Sequence, residues 1–207
     1  MKSNYFPLVS LLLVLLTLIA FSDNLVTDVG QPSNSDPKFI VHGLFCLAWM
    51  ICFALQAQLV RTRNLRWHRQ FGSAAFFIAA GVTLSTLYVF VTVWTSWAQM
   101  SPEVRANRLL LPSYSLCVLF AWLQRRNPEW HRRLLYVGTL YMLDPVLARI
   151  PPLSWSDFWF YSFMVAVWSG LFLSLFVYDW KTARRIHPAT SLGFGWLYLA
   201  WAIAWYS

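Results

Sequence analysis

Seven apolar segments separated by short polar turns run the length of the chain, and they restrict what it can fold into. A bilayer core about 30 Å thick asks for about 20 mostly apolar residues per helix, with roughly 17 to 25 usual. The segments span residues 5–21, 39–60, 71–94, 109–123, 134–148, 158–178 and 191–206. The fourth, fifth and seventh are short, so they draw on their flanks or cross with little tilt. The expected fold is all-α: one polytopic bundle of seven transmembrane helices over residues 1–207. Residues 1–22 form a leading helix, and 39–94, 109–148 and 158–206 form three helical hairpins.

Charge separates the two sides. Lys and Arg collect in short cytoplasmic loops. With the N-terminus inside, that side receives Lys2, Arg61, Arg63, Arg66, Arg69, Arg125, Arg126, Arg132, Arg133, Lys181, Arg184 and Arg185. These are twelve of the sixteen cations. The opposite side holds Lys38, Arg105, Arg108 and Arg149 with Asp23, Asp28, Asp36, Glu103 and Asp157. The orientation is therefore N-in and C-out, and short loops with this bias fit a bacterial inner membrane. The net charge of +8 resembles a nucleic-acid binder's, but no soluble face exists to carry a basic patch. Only 12% of residues are charged, against about 25% in soluble proteins.

The first segment has a second reading. Ala20-Phe21-Ser22 is a small-x-small triplet after a short apolar run with Lys2 in front, as in a cleaved signal peptide. Run length favours an uncleaved anchor; cleavage would leave six spans. The polar stretch 22–37 is too short for an extramembrane domain. Cys46, Cys52 and Cys117 all lie inside spans, so no disulfide framework is expected. Trp67, Trp130, Trp180, Trp94, Trp97, Trp155 and Trp159 flank the spans as an interfacial belt, whereas Trp49 and Trp168 fall mid-span.

Two basic turns share a pattern, Arg66-Trp67-His68-Arg69 and Glu129-Trp130-His131-Arg132-Arg133, and a third, Arg184-Arg185-Ile186-His187-Pro188, shares it in part. Either the hairpin is an internal repeat, or His, Trp and Arg coincide because all favour interfaces. His42, Trp49 and Gln56 followed by His68-Arg69-Gln70-Phe71-Gly72 resemble the first block of a group of uncharacterised bacterial integral membrane proteins. Asn127-Pro128-Glu129-Trp130-His131-Arg132-Arg133-Leu134 with Arg149 resembles the group's second block, and Asp179 with His187-Pro188-Ala189 its third. The resemblance covers residues 39–195 and brings no function with it. By analogy alone, the organisation is similar to small membrane proteins that assist haem-copper oxidase maturation, and more distantly to b561-type cytochromes.

Three places could carry chemistry. In the second span His42, Cys46, Trp49, Phe53 and Gln56 recur at helical spacing, so they share a face that looks into the bundle. That face is a packing seam or the wall of a ligand pocket. Asp144 is the one acidic residue inside a predicted span, with Tyr141 a turn before it on the same face and Arg149 near the rim. Pro145 disfavours helix at Asp144 and so kinks or ends the segment there. A carboxylate at a broken helix is an ion- or ligand-site device, unless the helix simply ends early near the interface. Finally, His68, His131 and His187 share one depth, as axial ligands of a b-type haem must, although His beside Arg at a rim is also ordinary.

Enzymatic chemistry is disfavoured. The absence of a His-x-x-x-His or His-x-x-His pair does not fit a zinc hydrolase, four histidines are too few for a di-iron desaturase, and phosphate-loop and nucleophile-elbow motifs are lacking. No catalytic or metal residue is assigned. The leading expectation is a non-catalytic accessory or assembly factor of a larger membrane complex, or a hydrophobic-ligand binder through His42, Trp49 and Gln56. The alternatives are a b-type haem electron carrier and a small transporter using Asp144. The bilayer is the expected partner in each case, and nucleic acid in none.

Overall fold

The computed structural model describes residues 4–207; Lys2, one of the orienting cations, lies outside them. The described residues are helical and contain no strand. The helices are α1 (Tyr5–Ala20), α2 (Pro37–Arg61), α3 (Leu65–Thr92), α4 (Pro102–Leu123), α5 (Pro128–Tyr141), α6 (Asp144–Leu147), α7 (Asp157–Ala183) and α8 (Pro188–Tyr206). Four of them, α2, α3, α4 and α7, are long and apolar enough to cross a membrane. The fifth predicted segment is not one helix. α5 has 14 residues, about 21 Å of rise, too short to cross a bilayer alone. The chain forms two compact units, one ending at Trp94 and one comprising Thr95–Ser207.

In the first unit α1 packs on α2 and α2 on α3. The buried residues of α1 are Ser10, Leu13, Thr17 and Ala20, a narrow stripe of mostly small side chains. Its hydroxyls bond to the helix itself, Ser10 to Pro7 O (3.1 Å) and Thr17 to Leu13 O (2.8 Å). Asp36 caps α2 by accepting from Lys38 N–H at 3.1 Å, with Pro37 at the first helical position. Gly81 of α3 lies under the Phe45 ring, which a Cβ there would penetrate. α2 ends where Arg63 takes a left-handed φ of 62°; Arg63 N–H then bonds Val60 O and Asn64 N–H bonds Leu59 O. This is a Schellman turn with arginine at the position glycine usually fills.

In the second unit α4 and α5 form a hairpin and α8 lies against both. Gly193 of α8 meets α5 so closely that a Cβ would stand 2.5 Å from Val137 Cγ1. α7 faces α8 across aromatic rings: Trp168 on Trp201 at 5.8 Å, and Phe172 and Phe176 on Phe194 at 5.5 and 5.6 Å. Large rings keep that pair of backbones apart, while small residues let α8 approach α5.

Candidate functional site

The turn before α5 sets its first residues by capping. Asn127 Oδ1 accepts from Glu129 N–H at 3.2 Å and Pro128 opens the helix. Arg133, one turn in, points inward and is 1% exposed; Asp179 on α7 is 0% exposed. Arg133 Nε and Nη2 each lie 2.7 Å from Asp179 Oδ1, and Nη1 donates to Glu129 O at 2.9 Å. Asp179 Oδ2 accepts from the Thr190 hydroxyl at 2.6 Å and from His187 N–H at 3.0 Å. His187 in turn caps α8, its Nδ1 accepting from Ala189 N–H at 3.2 Å, while the Trp130 ring meets it edge-on at 4.7 Å. Burial first, and then the Arg133 charge, hold His187 below the ordinary histidine range. Both carboxylate oxygens are occupied, so this cluster ties α5, α7 and α8 together and leaves no open ligand position.

Asp144 differs. The backbone leaves the helix at Met142–Leu143 and α6 restarts at Asp144, with Pro145 in its first turn. The side chain is 1% exposed. Its Oδ2 accepts from Asn107 Nδ2 at 2.7 Å, whereas Oδ1 has no hydrogen-bond partner among the described residues. Glu103 lies one turn before Asn107 on α4, and the Tyr161 hydroxyl of α7 donates to Glu103 Oε1. A buried carboxyl with one hydrogen bond is incompletely satisfied in either protonation state.

Two expectations about this region are corrected. Tyr141 does not share a face with Asp144, because the helix between them is interrupted. Tyr141 donates to Gly193 O of α8 at 3.0 Å while Asp144 turns to α4. Nor is Asp144 the one acidic residue in a span. α7 continues past Tyr178 through Asp179, and α4 begins at Pro102 rather than 109, which takes in Glu103. Arg149 is exposed.

The face of α2 is an inward seam: Trp49 is 3% and Phe53 8% exposed. Its polar members are engaged with α3. His42 Nδ1 lies 3.3 Å from Ser85 Oγ and 3.4 Å from Thr86 Oγ1, and both hydroxyls donate to Val82 O. Cys46 Sγ lies 3.7 Å from both ring nitrogens of the same histidine. With its nitrogen toward His68, the Gln56 amide donates to His68 Nδ1 and to His68 O (3.2 Å) and accepts from Gly72 N–H at 3.2 Å. These contacts fasten the α2–α3 hairpin.

The same bonds assign tautomers to the haem candidates. His68 and His187 accept at Nδ1, so their proton is on Nε2. His131 Nδ1 donates to Ala121 O at 2.8 Å, which puts the lone pair on Nε2, as an iron ligand requires. His68 belongs to the first unit, His131 and His187 to the second. Among the described residues no three His, Cys, Asp or Glu side chains gather to hold a metal ion, and the three cysteines are free.

Sequence reasoning missed Asn107, Glu103 and Tyr161 around Asp144, and it recorded Arg133, Asp179 and His187 without pairing them. The available signal was the Pro102 start signal of α4 and the spacing of Glu103 and Asn107, one turn apart on a helix face. Comparison of the chain with protein-family models, with curated proteins and with solved structures finds no match.

Proposed function

We propose that the chain is a seven-span protein of a bacterial inner membrane, N-terminus inside, that moves a proton or a small monovalent cation by way of Asp144. We group it with the bacterial membrane proteins whose three motif blocks it resembles. One observation carries the transport reading: a carboxyl 1% exposed, at a helix interruption, with one oxygen held by Asn107 and the other unpartnered. Intramembrane carboxyls are costly, and those retained with unfilled hydrogen-bonding capacity mark ion and proton paths. The polar groups of the α2 seam and of the Arg133–Asp179 cluster are engaged internally, which leaves Asp144 as the better candidate for a mobile ligand.

The test is flux in proteoliposomes that hold a pH-sensitive dye, driven by a potassium diffusion potential, with and without a sodium gradient. The wild-type protein should change the internal pH, or release protons against sodium, and Asp144→Asn should abolish this while melting as a folded protein. Unaltered flux in Asp144→Asn rejects Asp144 as the ion site. A Soret band in the purified protein would instead favour the haem carrier.

A further inference from the structure

The turn between α2 and α3 carries Arg61, Arg63, Arg66 and Arg69 within nine residues, all exposed. Among the described residues none of these four guanidinium groups has an ion-pair partner. No Asp or Glu occurs between Asp36 and Glu103, and the acids of the first unit all precede α2. That 25-residue helix puts about 37 Å between Asp36 and the turn. The basic groups near α5 are placed differently. Arg125 lies over Trp122 and donates to its carbonyl, Arg132 lies over Tyr178, and Arg133 is locked on Asp179. Arg125, Arg132 and Arg133 thus have partners inside the second unit, whereas the four arginines of the α2–α3 turn have no carboxylate near them.

Two further features belong to the same turn. Trp67 and Phe71 stack at 5.3 Å with 18° between their planes and stand 48% and 49% exposed, an apolar ledge beside the arginines. Arg63 also sits in a left-handed conformation that glycine would adopt with less strain. An arginine there carries its charge at a cost in conformational energy.

We propose that this turn binds the headgroup of an anionic phospholipid, preferentially one with two phosphates of the diphosphatidylglycerol type. The guanidinium groups take the phosphates, each able to offer a two-pronged donor fork. The Trp67–Phe71 ledge lies against the glycerol and upper acyl chain, where such rings settle. The chemistry is independent of Asp144 and of whether the protein transports anything.

The experiment is native mass spectrometry of the full-length protein in detergent, titrated with diphosphatidylglycerol or phosphatidylcholine, alongside thermal melting. Wild type should retain the diphosphate lipid in preference to phosphatidylcholine. Each arginine near a phosphate contributes about fivefold, so R61Q/R63Q/R66Q/R69Q should lose about six-hundredfold. Arg63→Gly should bind about fivefold more weakly yet melt no lower, because it relieves the left-handed strain while removing one charge. It remains informative if the four-site variant fails to fold. R184Q/R185Q, at another basic turn, should bind as wild type does. Equal retention by wild type and Arg63→Gly, or an equal loss in R184Q/R185Q, overturns the proposal. Displacement of the lipid by inorganic pyrophosphate at matched affinity overturns it too, in favour of a soluble phosphate site.

Discussion

Arg133 of α5 and Asp179 of α7 meet through two contacts of 2.7 Å, with side chains 1% and 0% exposed. Removing one member of such a pair strands a buried charge and costs about 3 to 5 kcal/mol. Arg133→Ala and Asp179→Ala should each lose about that much stability in denaturant titrations in micelles. Arg133→Met with Asp179→Leu should recover part of it, because the stranded charge is gone while His187 N–H and the Thr190 hydroxyl lose their acceptor. Single variants that unfold at wild-type denaturant concentrations would show the pair to be energetically idle.

His187 supplies a pH dependence of known sign. Its folded pKa lies below the ordinary value of about 6.5, through burial and the Arg133 charge. The unfolded chain is therefore protonated first as pH falls. His187's contribution to stability is complete above about 6.5 and declines below it, toward the folded pKa. Protonation at Nδ1 also removes the acceptor that caps Ala189 N–H. Melting at pH 7.5 and 5.5 should show a drop in wild type and a smaller one in His187→Asn, which keeps a capping acceptor that does not titrate. An equal drop in both would assign the effect to other groups.

Gly193 is required by space rather than by conformation. A methyl there would stand 2.5 Å from Val137 Cγ1 and 3.1 Å from Cγ2, and a β-branched side chain on a helix yields little. Gly193→Ala should cost about 1 to 3 kcal/mol, and adding Val137→Ala should return part of it. If Gly193→Ala melts as wild type, the approach of α8 to α5 is looser than described here.

Arg184 ends α7 with φ at 53°, its N–H donating to Trp180 O at 3.0 Å. Glycine takes that conformation without the Cβ clash, so Arg184→Gly should stabilise the protein by roughly 0.5 to 1 kcal/mol. A lower melting temperature would mean that the Arg184 side chain makes a contribution larger than the strain it imposes.

Apolar run length marked α1, α2, α3, α4, α7 and α8, because a long hydrophobic segment has few other options, and it took α5 and α6 for one helix. Pro145 marked the neighbourhood of the break, but Asp144 itself is helical and the interruption falls at Met142–Leu143, because Pro145 has no N–H to bond back into α5. Other features could not be read along the chain. The first turns of α4 carry Glu103, Arg105, Asn107 and Arg108, and polarity hid them from a hydropathy reading; one of them, Asn107, holds Asp144. Arg133 and Asp179 are 46 residues apart, and nothing local says which of many arginines meets which carboxylate. The histidine tautomers follow from partners such as Ala121 O and the Gln56 amide, which only the packed hairpins bring near.

The Arg133–Asp179 contact also imposes an order on biosynthesis. Arg133 leaves the ribosome 46 residues before its carboxylate partner, and the Thr190 hydroxyl that shares that carboxylate comes later still. A nascent chain holding only α4 and α5 thus has a charge it cannot bury. It must keep Arg133 hydrated until α7 and the start of α8 arrive. A chain terminated before Asp179 is left with the Arg133 guanidinium and no carboxylate to pair with it.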